Sequence, residues 1–236
     1  MIELIDFSKT YGNKTAVDRV TLTVKQGEIA ALLGENGAGK TTILKALCAL
    51  HKATSGTVRI CGKESATEIK EIVGYVPEQP ILYDDFTVNE MLFFTGEMRG
   101  MREKTLSEAM EKVIADCKLE SVINKKIATL SKGFKQRVSF ATALIHSPKV
   151  LVLDEVTSGL DPAQIKQMRE LIKRLSKTKT VLLSTHLMQE VDALAKTVFI
   201  LKQGKLIAQG SAESIIRETK TTSLEEAFIA LNQVAE

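Results

Sequence analysis

The strongest constraint on the fold of this chain is a glycine-rich segment that lies between two apolar stretches. Residues 34–41 read Gly-Glu-Asn-Gly-Ala-Gly-Lys-Thr. The preceding run, Glu28 to Leu33, has the apolar character of a buried strand, and the following one, Thr41 to Leu50, has apolar residues at helical spacing. A strand, a Gly-x-x-x-x-Gly-Lys-[Ser/Thr] segment and a helix in this order predict a phosphate-binding loop. The alternative, a glycine-rich turn with a solvated lysine, leaves both flanking elements unexplained.

The phosphate-binding loop predicts a nucleotide site that also holds Mg²⁺. Its glycines let backbone N–H groups wrap phosphate oxygens, and the N-terminus of the following helix adds positive potential. Lys40 is predicted to reach the β- and γ-phosphates, and the Thr41 hydroxyl is predicted to ligate Mg²⁺. The residues predicted to contact the nucleotide here are Gly34, Asn36, Gly37, Ala38, Gly39, Lys40, Thr41 and Thr42.

Two acidic residues follow a second apolar strand pattern. Val150 to Leu153 reads as a buried strand, and Asp154 and Glu155 come directly after it. In a doubly wound sheet, the carboxyl edge is the edge that faces a ligand. Asp154 is therefore predicted to hold Mg²⁺, and Glu155 to polarise the water that attacks the γ-phosphate. A core strand that simply exposes two acids at its end is the alternative, and the phosphate-binding loop argues against it.

Two further side chains are candidates for contacts with the nucleotide. His186 follows the apolar strand pattern Thr180 to Ser184, which predicts a place on the same sheet edge, near the γ-phosphate. A histidine that merely packs a loop is the alternative. Tyr11 follows the first strand pattern and is predicted to stack on an adenine, with ordinary packing as the alternative.

The order of strand and helix patterns predicts a single domain over residues 1–236. The first half mixes short strands with helices, whereas residues 87–147 lack strand patterns and are predicted to form a helical subdomain. From Val150 onward, strands and helices alternate, which is typical of a largely parallel sheet covered on both faces. Residues 211–236 are predicted to form a C-terminal helical tail.

Charge and composition narrow the class of partner and the compartment. The 32 Lys and Arg residues nearly balance the 29 Asp and Glu residues, and no long basic block is present, so no nucleic acid partner is expected. Cys48, Cys61 and Cys117 are too widely spaced to indicate a disulfide framework or a zinc site, which suits a reducing cytosol. No secretion signal is evident, and the apolar runs fall far short of the ~20 residues that cross a bilayer. Any membrane role is therefore expected to depend on another subunit.

The segment Leu-Ser-Lys-Gly-Phe-Lys-Gln-Arg, residues 130–137, lies just upstream of the acidic strand. Together with the phosphate-binding loop, it resembles the signature of the nucleotide-binding domains of ATP-binding cassette (ABC) transporters, a resemblance that covers essentially the whole chain. The usual Leu-Ser-Gly-Gly-Gln is kept at Leu130, Ser131 and Gly133, while Phe134 replaces the glutamine. A Ser and a Gly that open a helix also form an anion site on physical grounds, with a simple N-cap as the alternative.

Two more segments carry the resemblance. Residues 156–161, Val-Thr-Ser-Gly-Leu-Asp, resemble the D-loop of the family, which implies that Asp161 lies at a subunit interface; otherwise Asp161 is a helix N-cap before a proline. The family's glutamine-loop position falls on Glu78, with Gln79 one place later, and either could serve the Mg²⁺ site. The downstream Leu-Tyr spacing favours Glu78. Glu78, the altered signature and residues 223–228 resemble subunits of ABC-2 type bacterial exporters more than those of importers.

The resemblance implies an α/β fold with a P-loop NTPase (RecA-like) core, an antiparallel β subdomain and a helical subdomain. It implies ATP and Mg²⁺ as cofactors and a head-to-tail dimer with an identical or a different ATP-binding subunit. Two ATP molecules would lie between the phosphate-binding loop of one subunit and Ser131 and Gly133 of the other. The remaining partner would be an integral-membrane permease, which places the chain peripherally on the cytoplasmic face of the cell membrane.

Three other functions compete with this interpretation. A small-molecule kinase could use the same phosphate-binding loop, but it would need an acceptor site and would leave residues 130–137 unexplained. A soluble ABC protein of translation or DNA repair typically has tandem cassettes or long coiled-coil insertions, whereas this chain has one cassette. A nucleotide sensor without turnover is disfavoured by the presence of Glu155 and His186.

Overall fold

The computed structural model of this protein describes residues 1–234, which form two β-sheets and a set of surrounding helices. The strands are β1 (Ile2–Tyr11), β2 (Lys14–Val24), β3 (Ile29–Gly34), β4 (Ser55–Ile60), β5 (Val73–Val76), β6 (Val150–Asp154), β7 (Thr180–Thr185), β8 (Thr197–Lys202) and β9 (Lys205–Gly210). The helices are α1 (Lys40–Leu47), α2 (Ala66–Ile72), α3 (Val88–Met98), α4 (Glu103–Cys117), α5 (Lys132–Leu144), α6 (Pro162–Leu175), α7 (Met188–Leu194), α8 (Ala212–Thr219) and α9 (Leu224–Val234).

The larger sheet has six strands in the order β5-β6-β7-β3-β8-β9. The first five are parallel, and β9 pairs antiparallel with β8. Both faces are covered: alternate residues of each strand pack into two separate apolar cores. Ala31 and Leu33 face one core, whereas Ala30 and Leu32 face the other. Continuous apolar strands are expected of a parallel sheet with covered faces, and the predicted α/β class is confirmed.

The smaller sheet is antiparallel and has the order β2-β1-β4. Ile2 pairs with Val24 of β2 on one side and with Ile60 of β4 on the other. Ile2 and Leu4 are buried beneath this sheet, as the alternating pattern of the strand requires. This sheet is the predicted antiparallel β element of the fold.

Three of the helices, α3 to α5, lie in the stretch that lacked strand patterns. The capping box of Thr87 and Glu90 begins α3: the Glu90 N–H donates to the Thr87 hydroxyl at 3.2 Å, and the Thr87 N–H donates to Glu90 Oε2 at 2.7 Å. Apolar residues of α3, α4 and α5 join the core on one face of the large sheet, so these helices are packed against the strands that carry the site.

The C-terminal segment forms α8 and α9, which pack against the same core through Ile215, Leu224 and Ala227. Ala235 and Glu236, the end of the predicted tail 211–236, lie outside the described residues. Within residues 1–234, no helix combines the length and apolar character needed to cross a membrane.

Candidate active site

The phosphate-binding loop connects β3 to α1 at the carboxyl edge of the large sheet. Gly37 and Gly39 have φ angles of +84° and +105°, values that side-chain-bearing residues rarely adopt. A Cβ on Gly39 would lie 2.8 Å from the carbonyl oxygen of Ala16, so the loop could not follow this path with any other residue there. The loop borders an open cavity of about 570 Å³, a volume suited to a small-molecule ligand.

Lys40, the first residue of α1, is the cation at the centre of the site. Its side chain is 5% exposed, and Nζ lies 2.7 Å from the Gly34 carbonyl oxygen and 3.1 Å from that of Glu35. Glu155 Oε1 is 3.1 Å from the same Nζ. The loop therefore holds its lysine in a fixed position by its own carbonyl groups and by one carboxylate.

Asp154, the last residue of β6, accepts hydrogen bonds from three hydroxyl groups. The Ser184 hydroxyl donates to Oδ1 at 2.6 Å, and the Thr41 hydroxyl lies 3.3 Å from the same oxygen. The Tyr75 hydroxyl donates to Oδ2 at 3.3 Å. Asp154 is buried, and Thr41 brings it into contact with the loop. Carboxylate and hydroxyl oxygens are hard donors of the kind that Mg²⁺ prefers, so this set fits that ion.

Glu155 lies between Lys40 and His186. Its Oε2 is 2.9 Å from His186 Nδ1, while its Oε1 contacts Lys40. Its backbone has φ +45°, in the left-handed region, and its N–H donates to Ser184 through both the hydroxyl at 3.1 Å and the carbonyl at 3.2 Å. A non-glycine residue held in this conformation by specific hydrogen bonds is a feature found at functional sites.

Most of the residues predicted for the nucleotide line the cavity. They are Tyr11, Asn36, Gly37, Gly39, Lys40, Thr41, Thr42, Glu78 and Glu155. Gly34 contributes its carbonyl to Lys40, and Ala38 is buried beneath the loop, where its carbonyl accepts the Gly204 N–H at 3.0 Å. Of the two glutamine-loop candidates, Glu78 borders the cavity, and Gln79 is absent from the described residues that line it.

Tyr11 stands at the mouth of the cavity with its side chain 49% exposed. Lys9 Nζ lies 5.1 Å from the centre of the Tyr11 ring, and the His51 ring meets it edge-on at 6.0 Å. The ring thus has a cation and an edge-on aromatic as neighbours while part of its surface stays open to the cavity.

Several residues of the site were not found by sequence reasoning. Lys14, Thr15, Ala16 and Gln203 line the cavity from β2 and from the turn between β8 and β9. These residues carry no motif, and what brings them to the loop is sheet packing. Tyr75 and Ser184 were read only as parts of strands, although both contact Asp154.

The surroundings of the Tyr75 hydroxyl also shift its pKa. Burial is the main reason that the pKa of this phenol lies above its usual value, and the negative charge of Asp154 raises the pKa further. The phenol is therefore protonated at neutral pH and acts as a donor to the carboxylate.

Ser131, Gly133 and Asp161 occupy helix starts elsewhere in the chain. The Phe134 N–H donates to the Ser131 hydroxyl at 3.4 Å at the start of α5, and the Gln164 N–H donates to Asp161 Oδ1 at 2.9 Å at the start of α6. A Cβ on Gly133 would lie 2.7 Å from the Gln164 side chain. Among the described residues that line the cavity, none of these three is found.

Comparison with known proteins agrees with this geometry. A family model described as ABC transporter matches residues 17–158. The Nod factor export ATP-binding protein I of Burkholderia lata is 37% identical over 219 residues, which cover 91% of this chain and 72% of that protein. A solved ATP-binding subunit of an ABC transporter superposes with a TM-score of 0.88 and 30% identity, covering 98% of this chain and 99% of that one.

A second similar solved structure contains the products of ATP hydrolysis. It is a dimeric ATP-binding cassette in a post-hydrolysis state bound to ADP and Pi, with a TM-score of 0.81, 27% identity and coverage of 89% of this chain and 98% of that one. Together with the loop, the two acids and the family match, these similarities show that this chain belongs to the ABC transporter family, as an ATP-binding subunit and an ATPase.

Proposed function

We propose that this subunit hydrolyses Mg-ATP within a dimer that clamps two nucleotides and drives a separate membrane permease in export. The observation that carries the proposal is the convergence of Lys40, Glu155 and His186 at the phosphate-binding loop, with Asp154 beside them. A cation for phosphates, a carboxylate for water and a carboxylate for a metal are the groups that phosphoryl transfer to water requires.

The proposed roles follow from these contacts. Lys40 binds the β- and γ-phosphates, which compete with the Gly34 and Glu155 oxygens for its ammonium group. Thr41, Asp154 and Glu78 hold Mg²⁺, which when bound neutralises phosphate charge. Glu155 orients the attacking water and takes up its proton.

His186 and Tyr11 have supporting roles in this proposal. His186 holds the Glu155 carboxylate through its Nδ1 contact and lies near the γ-phosphate. Tyr11 stacks on the adenine at the mouth of the cavity, where its ring is half-exposed.

The signature residues support a shared site. Ser131, Gly133 and Asp161 lie at helix starts and, within residues 1–234, are not part of the cavity lining of their own chain. A head-to-tail partner, either a second copy or a different cassette, would bring its α5 N-terminus to the γ-phosphate. The dimeric arrangement of a similar cassette supports this interpretation.

A permease partner is supported by the surface around α3. Ile81 is 81% exposed, Tyr83 is 55% exposed and Met98 is 72% exposed, so three large apolar side chains within residues 81–98 face solvent. Exposed apolar groups of this kind mark protein interfaces. We propose that a cytoplasmic segment of the permease covers them and that the subunit thereby resides on the cytoplasmic face of the membrane. The direction, export, rests on the similarity to a Nod factor export protein.

The decisive experiment uses Glu155→Gln, which keeps the size of the side chain but removes the carboxylate. We expect hydrolysis to fall by ~10²–10⁴-fold, because that is the usual contribution of a general base. Nucleotide binding should persist, because Lys40, Thr41 and Asp154 are untouched. The ATP-bound dimer should therefore accumulate.

Size-exclusion chromatography with light scattering would show the dimer. The Glu155→Gln protein should become dimeric with Mg-ATP and stay monomeric with Mg-ADP, while Glu218→Gln, an exposed change on α8, should behave as wild type. Adding Ser131→Arg to Glu155→Gln should prevent the dimer, because the large cation blocks the start of α5. A Glu155→Gln protein that hydrolyses ATP at the wild-type rate would refute the assignment of the base.

If Glu155→Gln binds Mg-ATP but stays monomeric, the proposal that two copies of this chain form the dimer is refuted. The subunit should then be mixed with a second cassette from the same transporter, because a heterodimer would form only in the mixture.

A further inference from the structure

Glu190 is a buried acid that the proposed mechanism does not use. It lies in the first turn of α7, and only 3% of its surface is exposed. Among the side chains that the structure describes, no Lys, Arg or His forms an ion pair with its carboxylate. Acidic residues are almost never buried to this extent unless they are paired, so the partner that this carboxylate does have is informative.

That partner is the hydroxyl group of Thr157, which donates to Glu190 Oε1. Thr157 is also only 3% exposed, and it lies 33 residues away in the sequence, in the segment 156–161 that follows Glu155. The bond therefore joins this segment to the helix that follows His186. Because both groups are buried, breaking the bond would leave each of them without a partner.

The segment 156–161 is held at its beginning and exposed at its end. Its first two residues are buried, and its last four are half-buried or exposed. Two backbone bonds shape it: the Ser158 N–H donates to the Glu155 carbonyl at 3.0 Å, and the Leu160 N–H donates to the Thr157 carbonyl at 3.2 Å. Thr157 lies within the first of these turns and begins the second, so fixing Thr157 also fixes the path of the exposed end.

The same two parts of the chain meet at a second point, where Glu155 Oε2 lies 2.9 Å from His186 Nδ1. The His186 side chain is 45% exposed, and Glu155 lines the nucleotide cavity, so this contact lies where the attacking water and the γ-phosphate are proposed to bind. Glu190 and Thr157, by contrast, are not among the described residues that line the cavity. Of the two connections, the buried one is therefore the one that the nucleotide does not reach.

We propose that Glu190 is a positioning residue of the shared nucleotide site: by holding Thr157, it fixes the exposed end of segment 156–161 in the conformation that the partner subunit meets. The inference rests on the proposed function, in which Asp161 of this segment lies at the dimer interface. Its consequence is that the segment is ordered when the subunit folds, so that the dimer does not lose affinity through ordering it. Loss of the bond should weaken the dimer and leave nucleotide binding by the monomer unchanged.

Three single variants isolate the bond. Thr157→Val keeps the shape of the side chain but cannot donate, whereas Thr157→Ser keeps the hydroxyl. The matched control lies at the amino edge of the large sheet, opposite the edge that carries the nucleotide site. There the Thr197 hydroxyl donates to Glu28, an acid that is 8% exposed. Thr197→Val therefore removes the same kind of bond from a place that does not touch segment 156–161.

Hydrogen exchange followed by mass spectrometry, on the nucleotide-free protein, measures how firmly the segment is held. We expect the amides of Ser158 and Leu160 to exchange ~5–100-fold faster in Thr157→Val, the range that loss of one buried hydrogen bond supplies. Thr157→Ser and Thr197→Val should exchange there at close to the wild-type rate.

Light scattering in the Glu155→Gln background, with Mg-ATP, measures the dimer. Thr157→Val should raise the protein concentration at which half of the subunits are dimeric ~5–20-fold, while the Mg-ATP affinity of the dilute monomer stays within about twofold. Thr157→Ser and Thr197→Val should leave both values unchanged. A merely structural role of the bond would instead make Thr157→Val and Thr197→Val behave alike in this assay.

A second variant covers the case in which Thr157→Val does not fold. Thr157→Val combined with Glu190→Met replaces both polar groups by apolar ones, so that neither is left buried without a partner. This double variant lacks the bond as well, and it should show the same faster exchange and the same weaker dimer.

The outcomes separate the inference from the proposed function. Unchanged exchange in the variants without the bond shows that it does not hold the segment, and the inference is then wrong. Faster exchange with an unchanged dimer also overturns the positioning role. If Glu155→Gln stays monomeric with Mg-ATP, both alone and mixed with a second cassette, the proposed dimer is refuted and the positioning role is refuted with it.

Discussion

Two glycines of the phosphate-binding loop allow a matched test of why the loop needs glycine. Gly37 and Gly39 both have positive φ angles, +84° and +105°. A Cβ built on Gly37 meets nothing within 4 Å, whereas a Cβ on Gly39 would lie 2.8 Å from the Ala16 carbonyl oxygen and 3.2 Å from Val17 Cγ2. Alanine at the two positions therefore shares the backbone strain but differs in the steric clash.

The expected losses of stability follow from these two terms. Alanine in the left-handed region costs ~1–2 kcal/mol, offset by ~0.4–1 kcal/mol because alanine also restricts the unfolded chain. Gly37→Ala should therefore lower the free energy of unfolding by about 1 kcal/mol. Gly39→Ala should lose a further ~1–3 kcal/mol, because the atom it approaches is the backbone of β2 and cannot turn aside as a flexible side chain would.

Urea unfolding followed by circular dichroism, without nucleotide, measures both variants against the wild type. The midpoint should fall more for Gly39→Ala while the slope stays the same, which would show that the variants unfold from a native-like state. ATP affinity should also fall more for Gly39→Ala, because the clash distorts the N-terminus of α1, which is proposed to bind the phosphates. Equal losses for the two variants, or a larger loss for Gly37→Ala, would refute the steric argument.

Two other predictions follow from the same structure. Glu78→Ala should lower Mg-dependent ATP hydrolysis about fivefold or more, because Glu78 borders the cavity, while Gln79→Ala should stay within about twofold of the wild-type rate. The reverse order would shift the glutamine-loop assignment by one residue. Burial, with a smaller contribution from the Arg99 charge, lowers the pKa of His146 from 6.5 to about 4. The unfolded chain therefore binds a proton more readily than the folded one, so stability falls as the pH drops below 6.5. His146→Gln should therefore reduce the loss of unfolding free energy between about pH 7.5 and about pH 5 by ~1–2 kcal/mol, allowing for partial exposure. If chemical denaturation shows the same loss of unfolding free energy at low pH in the variant, this origin is contradicted.

The local patterns of the sequence predicted the fold because each element carries its own signal. The apolar run before Gly34 and the helical spacing after Thr41 predicted β3 and α1, and both are present with the loop between them. The alternation of strands and helices predicted from Val150 onward is found as β6, α6, β7, α7 and β8. Periodicity is a property of consecutive residues, so it needs no knowledge of the tertiary structure.

The contacts of the acidic residues could not be predicted in the same way. Tyr75 and Ser184 reach Asp154 across 79 and 30 residues of sequence, on two different neighbouring strands. Their place depends on strand order, β5-β6-β7, which nothing in the local pattern of any one strand encodes. The positive φ of Glu155 was equally hidden, because glutamate carries no preference for that conformation. The catalytic roles assigned from the motifs stay predictions until the variants are measured.

A single hydroxyl group explains how the two adjacent acids can do different work. Ser184 Oγ donates to Asp154 Oδ1 at 2.6 Å and accepts the Glu155 N–H at 3.1 Å. Consecutive residues of an extended strand point to opposite faces of the sheet, so a regular continuation of β6 would separate the two carboxylates. The bond from the Glu155 N–H to Ser184 instead anchors the turn at φ +45°, and that turn brings the Glu155 side chain back to Lys40. Ser184 lies directly opposite Asp154 in the register of β6 and β7, and His186 follows it by two residues. The same strand end therefore orients the acid proposed to hold Mg²⁺, sets the turn of the proposed base and presents the histidine that contacts that base. Because all three depend on the register of β7 against β6, that register is a requirement of the site as much as of the fold.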